Sequence, residues 1–116
     1  MSLSPPPVVL VTGSSRGLGR GVAETLAQAG FSVAIHYASN KEAAETTAAA
    51  CKKLAPHPEQ KFAIVGGNIG LAADRQQLFD ETLAAYGHLD ALVNNAGVAP
   101  RVRADITRRP RKSSTR

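Results

Sequence analysis

Residues 8–21 read VVLVTGSSRGLGRG: a short apolar run, a glycine-rich turn, then the start of a helical pattern. No other junction in the chain restricts the fold as much. Val8–Val11 is apolar without interruption, which suits a strand covered on both faces, and such strands belong to parallel sheets flanked by helices. Gly13 lets the chain turn sharply out of the strand, while Gly17 and Gly19 keep side chains away from the mouth of the helix. A helix that begins there turns its positive end and its unpaired N–H groups toward the loop, where a pyrophosphate could approach bare backbone. Glycine-rich turns are common. One between a buried strand and a helix is the specific context of a dinucleotide cradle.

The rest of the chain repeats the alternation. GLGRGVAETLAQAG places Leu18, Val22, Leu26 and Ala29 on one helical face and stops at Gly30. SVAIHY (32–37) is a second strand. The next helix opens at SNKEAAE, where Ser39 and Glu42 have capping-box spacing, and runs through Leu54. After the turn region APHPEQ come a third strand in KFAIVGG and a helix in AADRQQLFDETLAAYG, with Leu78, Phe79, Thr82 and Leu83 on one side. A fourth strand lies in DALVNNAG (90–97). Strand and helix in strict alternation imply an α/β fold of parallel strands joined by right-handed crossovers. The expected organisation is a Pro-rich arm over 1–7, an α/β half-domain over 8–100 and a basic tail over 101–116.

The net charge of +5 suggests nucleic acid until it is located. Residues 1–100 hold seven Lys/Arg against eight Asp/Glu, whereas residues 101–116 hold seven against Asp105 alone. The excess therefore belongs to the tail, which reads as a solvated, disordered segment and makes a nucleic-acid partner the least supported reading. No run nears the ~18 apolar residues of a membrane span, and the N-terminus lacks the basic region and cleavage site of a secretory signal. A lone cysteine, Cys51, excludes an internal disulfide framework and fits a reducing, cytoplasmic setting. It lies in an Ala-rich helical run and reads as a packed or half-exposed thiol rather than a reactive one. His36, His57 and His88 have no second ligand at metal-binding spacing, so packing or surface roles are expected and no metal is.

The spacing Thr12-Gly13-x-x-x-Gly17-x-Gly19, together with NNAG at Asn94–Gly97, strongly resembles the short-chain dehydrogenase/reductase family over about residues 6–106. It looks closest to the ketoacyl-carrier-protein reductase-like members. The resemblance implies a Rossmann-type parallel sheet in strand order 3-2-1-4, the N-terminal half of a doubly wound fold. It also implies the cofactor positions. Gly13, Ser14, Ser15, Arg16, Gly17, Leu18 and Gly19 would bind the cofactor, and Thr12 would bond across to the NNAG strand. The backbone of Asn95, Ala96 and Gly97 would line the ribose, with Asn68 and Ile69 flanking the adenine. The family usually carries Asp where this chain has Asn68, but an amide oxygen still accepts a hydrogen bond. An NAD-preferring member would place an acid at the end of the second strand. That position is Tyr37, and neither it nor Ala38, Ser39 or Asn40 is acidic. No carboxylate would repel a 2′-phosphate, and Arg16, Ser39, Asn40 and Lys41 are nearby, so NADP(H) is expected over NAD(H).

In the family an Asn-Ser-Tyr-Lys set transfers a proton during hydride exchange between the cofactor and a small carbonyl/alcohol substrate. Its Tyr and Lys project from one helix as Y-x-x-x-K. YASNK matches the letters at Tyr37 and Lys41. Here, however, Tyr37 ends a strand and Lys41 begins a helix, so no helical turn spaces the pair. The family's own set lies beyond NNAG, so these residues are expected to bind cofactor without catalysis. The tail RRPRKSSTR lacks the acidic, aromatic-containing helix expected there, and a frameshift near codon 107 would produce such a sequence; the nucleotide sequence tests this. With no further strand, DALVNNA would be an edge that only Asp90 and the asparagines could blunt, inviting a second copy or a reductase partner. A non-enzymatic nucleotide-binding or assembly partner is the rival reading.

Overall fold

A computed structural model describes residues 5–95 of the chain. Four strands, β1 (Val8–Thr12), β2 (Ser32–Tyr37), β3 (Ile64–Gly66) and β4 (Ala91–Asn94), alternate with α1 (Gly17–Gln28), α2 (Lys41–Leu54) and α3 (Ala72–Tyr86). All strand pairs are parallel, and the order is β3-β2-β1-β4. The unbroken apolar run explains the central place of β1. All five of its residues are buried, with Val8↔Ser32 through Val11↔Ile35 on one side and Val9↔Ala91 through Thr12↔Asn94 on the other. A strand flanked on both edges and covered on both faces has no polar side chain to place in water.

Period-two alternation divides the core. Val9, Val11, Val33 and Ile35 face Ala23, Ala27, Ala44 and Cys51 of α1 and α2, whereas Leu10, Ala34 and Val65 face Leu78 of α3. The stripe that α1 buries is Gly19, Ala23 and Ala27, not the expected one. Val22 and Leu26 pack from its flanks, while Ala29 is exposed and Leu18 is 62% exposed. Three small residues at i, i+4 and i+8 let the helix backbone approach the sheet, and the bulkier side chains are displaced to either side.

Asn40 rather than Ser39 caps α2, its Oδ1 accepting from the Ala43 N–H at 3.0 Å, because the first helical residue is Lys41. In α3, Leu78 and Thr82 are buried as expected and Phe79 is half-buried, but Leu83 is exposed. Gly87 closes that helix in the left-handed region, at φ 83°. Cys51 is fully buried, and burial together with the Glu24 carboxylate pushes its thiol up to about 11. Of the packed or half-exposed thiol expected, it is the packed one. Asp90 does not blunt the outer edge of β4. Its carboxylate turns back to β1 and accepts from the Val8 N–H at 2.8 Å. Among the described residues, no helix is long and apolar enough to cross a membrane.

The third strand is shorter than KFAIVGG suggests, and Tyr86 supplies the reason. Its phenol oxygen accepts from the Ala63 N–H at 2.8 Å and lies 3.1 Å from the Val33 carbonyl and 3.0 Å from that of Lys61. A side-chain hydroxyl thus bridges β2 and the segment before β3 where a backbone ladder bond would run. Tyr86→Phe is expected to cost about 1–3 kcal/mol, since it leaves the Ala63 N–H without its acceptor. Burial also pushes the phenol up to about 12 from an ordinary 10.0. The folded state therefore holds the phenol proton after the unfolded chain has released it, and stability falls as pH rises from 10 toward 12. Urea titrations across that range check both effects. The Phe variant should lack this contribution to the alkaline slope.

Candidate functional site

Because all four strands are parallel, their carboxyl ends emerge on one side of the sheet. From β1 the chain winds outward through β2 and β3 and then crosses back to add β4 on the other side of β1, which makes the β1/β4 crevice the switch point where such sheets receive ligands. The glycine loop lies there. Gly13 leaves β1 with φ 65°, a backbone region that side chains with a Cβ rarely adopt. Gly19 is required for closeness instead: a Cβ would run into the Gly13 carbonyl oxygen and come within 2.6 Å of Asn95 Nδ2. The first turn of α1 thus rests on the loop itself. Arg16, its extended N-cap residue, makes no side-chain capping bond, and the first turn contains no acid. The positive end of α1 is not neutralised from within the helix.

The NNAG strand is fastened to this loop. Thr12 Oγ1 donates to Asn94 Oδ1 at 3.2 Å and accepts from the Asn95 N–H at 2.9 Å, and Asn95 Nδ2 donates to the Gly13 carbonyl at 3.4 Å. The cross-link expected of Thr12 is present. Ser14 turns inward, its hydroxyl accepting from the His36 N–H at 2.9 Å, and the Ser15 carbonyl takes the Thr47 hydroxyl at 2.8 Å. Those two serines anchor the loop to β2 and α2. Arg16, Gly17 and Leu18 form its exposed outer side.

Beside the loop, Gly13, Ser15, Arg16, Ala38, Ser39 and Asn40 line an open cleft of about 280 Å3. No acidic residue is among them. Tyr37 is not in that lining: its ring packs across β3, so that a Cβ on Gly66 would lie 2.5 Å from Cζ. With Tyr37 at the end of β2 and Lys41 opening α2, the pair does not share a helical face. On the other side, Ile69 joins Leu10, Thr12, Arg75, Leu78, Phe79, Leu92 and Asn94 around a small, mostly apolar cavity of about 90 Å3. Asn68 Oδ1 accepts from the Gly70 N–H at 2.9 Å, and the Asn68 N–H donates to Asp74 Oδ2 at 2.8 Å. That amide oxygen has one lone pair engaged and one to offer. Ala96 and Gly97 lie outside the described residues.

His36 is the residue whose place in the site the sequence reading missed. It is 1% exposed, and both ring nitrogens are engaged: Nδ1 accepts from the Gly13 N–H at 2.8 Å, and Nε2 lies 2.8 Å from the Gly67 carbonyl. The available signal was a polar residue near the end of a strand that is otherwise buried, on the same face as Ala34. Among the described residues, no group of three or more His, Cys, Asp or Glu could hold a metal ion.

Comparison with known proteins agrees with this geometry. The short chain dehydrogenase family profile matches residues 7–112. The chain is 42% identical over 89 residues to the 3-oxoacyl-[acyl-carrier-protein] reductase FabG of Staphylococcus aureus, covering 77% of this chain and 35% of that protein. It is 41% identical over 93 residues to a short-chain type dehydrogenase/reductase of Picea abies, covering 78% of this chain and 34% of that one. It spans about a third of the length of these curated relatives. Among solved structures, a short-chain dehydrogenase/reductase from Serratia marcescens superposes with TM-score 0.71 at 35% identity, covering 82% of this chain and 38% of the other. A Burkholderia cenocepacia protein described as a dehydrogenase, solved with bound NADP, superposes with TM-score 0.70 at 34% identity, covering 77% and 33%. With its glycine loop, its Thr12–Asn95 fastening and its 3-2-1-4 sheet, the chain belongs to the short chain dehydrogenase family.

Proposed function

We propose that these residues form the NADP(H)-binding part of a carbonyl/alcohol oxidoreductase of the 3-oxoacyl reductase type. The observation that carries the proposal is the cleft beside the loop. A backbone cradle closed by Gly19 sits at the uncapped positive end of α1, and the adjoining wall offers Ser39, Asn40 and Arg16 with no carboxylate. Such a wall accommodates a 2′-phosphate, whereas an acid there would select the free ribose hydroxyls of NAD(H). Asn40 spends its Oδ1 on the Ala43 N–H, which leaves its amide N–H groups to donate. Ile69, with the apolar cavity at its side, would receive one face of an adenine, and the adjacent Asn68 amide oxygen would accept from it. Once bound, the dinucleotide would supply the hydride chemistry. The chain's own part is to bind and orient it. The 3-oxoacyl substrate class rests on the relationship to the Staphylococcus aureus reductase.

Tyr37 and Lys41 do not form a proton-transfer pair, so the 116 residues by themselves are expected to bind without turnover. Among the described residues β4 pairs only with β1, and its outer edge is where a second copy or a longer reductase would add. Titration with NADPH and NADH, with a carbonyl-reduction assay alongside, tests the reading. NADPH should bind more tightly, and no reduction should exceed background. Equal affinities would overturn the cofactor preference, and the absence of binding by either would overturn the nucleotide site. Turnover lost in Tyr37→Phe would return that tyrosine to the chemistry.

A further inference from the structure

Building on the dinucleotide-binding reading, we infer that His36 is a positioning residue whose neutral imidazole ties the phosphate loop to the adenine-side loop, so that its protonation loosens nucleotide binding. Three contacts carry the inference. The Gly13 N–H, at the first turn of the glycine loop, donates to Nδ1 at 2.8 Å. That donor fixes the tautomer, because Nδ1 must then lack a proton and Nε2 must carry one. Nε2 donates in turn to the Gly67 carbonyl at 2.8 Å, in the residue just before Asn68 and Ile69. The His36 backbone adds a pair of bonds to Ser14, its N–H donating to the hydroxyl at 2.9 Å and its carbonyl accepting from the Ser14 N–H at 3.1 Å. One buried ring therefore spans the two loops between which a dinucleotide would lie.

A second ring proton would have to sit on Nδ1, where it would face the Gly13 N–H donor to donor. The bond would be lost and the loop would shift away from its turn. The surroundings favour the neutral ring: burial holds the His36 pKa below the ordinary 6.5, against the Gly67 carbonyl, which pulls it up. The charged groups of α3 beside the Gly67–Ile69 loop are engaged with that loop's backbone. Asp74 and Arg75 of α3 bind the Asn68 N–H and the Ile69 carbonyl, and β1 and β3 present no ionisable side chain toward the ring. Arg16 of the glycine loop is exposed to solvent. The titration is thus coupled to the loop through geometry, and the Asp74 carboxylate beside Gly67 is held by the Asn68 N–H rather than by the ring.

The test compares the full 116-residue chain with His36→Asn, whose amide oxygen can accept from the Gly13 N–H but cannot titrate. NADPH and NADH are titrated from about pH 8 down to the lowest pH at which far-UV circular dichroism remains native. Over that span the wild type should lose about tenfold more affinity than the variant for either nucleotide, as expected for one hydrogen bond lost. The 2′-phosphate of NADPH titrates equally against both proteins, and NADH lacks it, so the difference reports His36. Identical pH profiles would overturn the inference. So would imidazole 15N shifts that place the His36 proton on Nδ1 near pH 8, whether or not nucleotide binds. An Nε2–H tautomer with no binding at any pH would instead sink the dinucleotide reading and leave His36 nothing to position.

Discussion

Gly19→Ala is expected to abolish nucleotide binding and to cost about 3 kcal/mol of stability, the upper end for forcing an added carbon into packed structure. The added Cβ would meet the Gly13 carbonyl oxygen and its carbon, at 2.8 Å for the latter, and Asn95 Nδ2 at 2.6 Å. Two of these are backbone atoms, and Asn95 is itself fastened to Gly13. The clash can be relieved only by lifting α1 off the loop, which removes the helix end from the cradle. Gly21→Ala is the internal control. It lies in the same helix with nothing within 4 Å of the added carbon, so it should bind normally and gain about 1 kcal/mol from helix propensity. Urea denaturation and NADPH titration of the two variants check the pair. A Gly19→Ala chain that folds and binds like the wild type would mean that the loop and α1 are not in close contact.

Ser39→Asp should weaken NADPH binding by about tenfold to a hundredfold and leave NADH little changed. Ser39 is exposed on the wall of the cleft, so the substitution disturbs no packing and breaks no cap, which Asn40 provides. A carboxylate placed there would face the 2′-phosphate, and two like charges about 4 Å apart near a protein surface repel by up to ~4 kcal/mol before salt screens them. The effect should shrink as ionic strength rises. Competitive titration at low and high salt measures it. Equal losses for both nucleotides would place the 2′-phosphate elsewhere.

Element order and sheet direction were legible in the sequence because they depend on features a few residues long. An apolar run such as VVLV, two glycines at a turn and a stop at Gly87 act where they stand, and alternation of such segments leaves few topologies open. The glycine-rich turn between β1 and α1 was legible for the same reason, since Gly13 and Gly19 answer to local geometry. Helix faces were less so. Leu18 and Ala29 carry apolar side chains at plausible spacings, yet they are exposed, because α1 approaches the sheet on the small stripe of Gly19, Ala23 and Ala27; Leu83 is exposed on α3, which buries Leu78 and Thr82 instead. The roles of His36 and Tyr86 could not be read at all. Each joins groups far apart in the chain, Gly13 to Gly67 through the imidazole and Ala63 to Val33 through the phenol. The sequence by itself determined the parallel α/β order and the glycine-rich turn between β1 and α1. Tertiary structure decided which buried polar atoms hold that turn in place, because a hydrogen-bond partner is set by where the folded chain brings its donors and acceptors, not by their spacing along it.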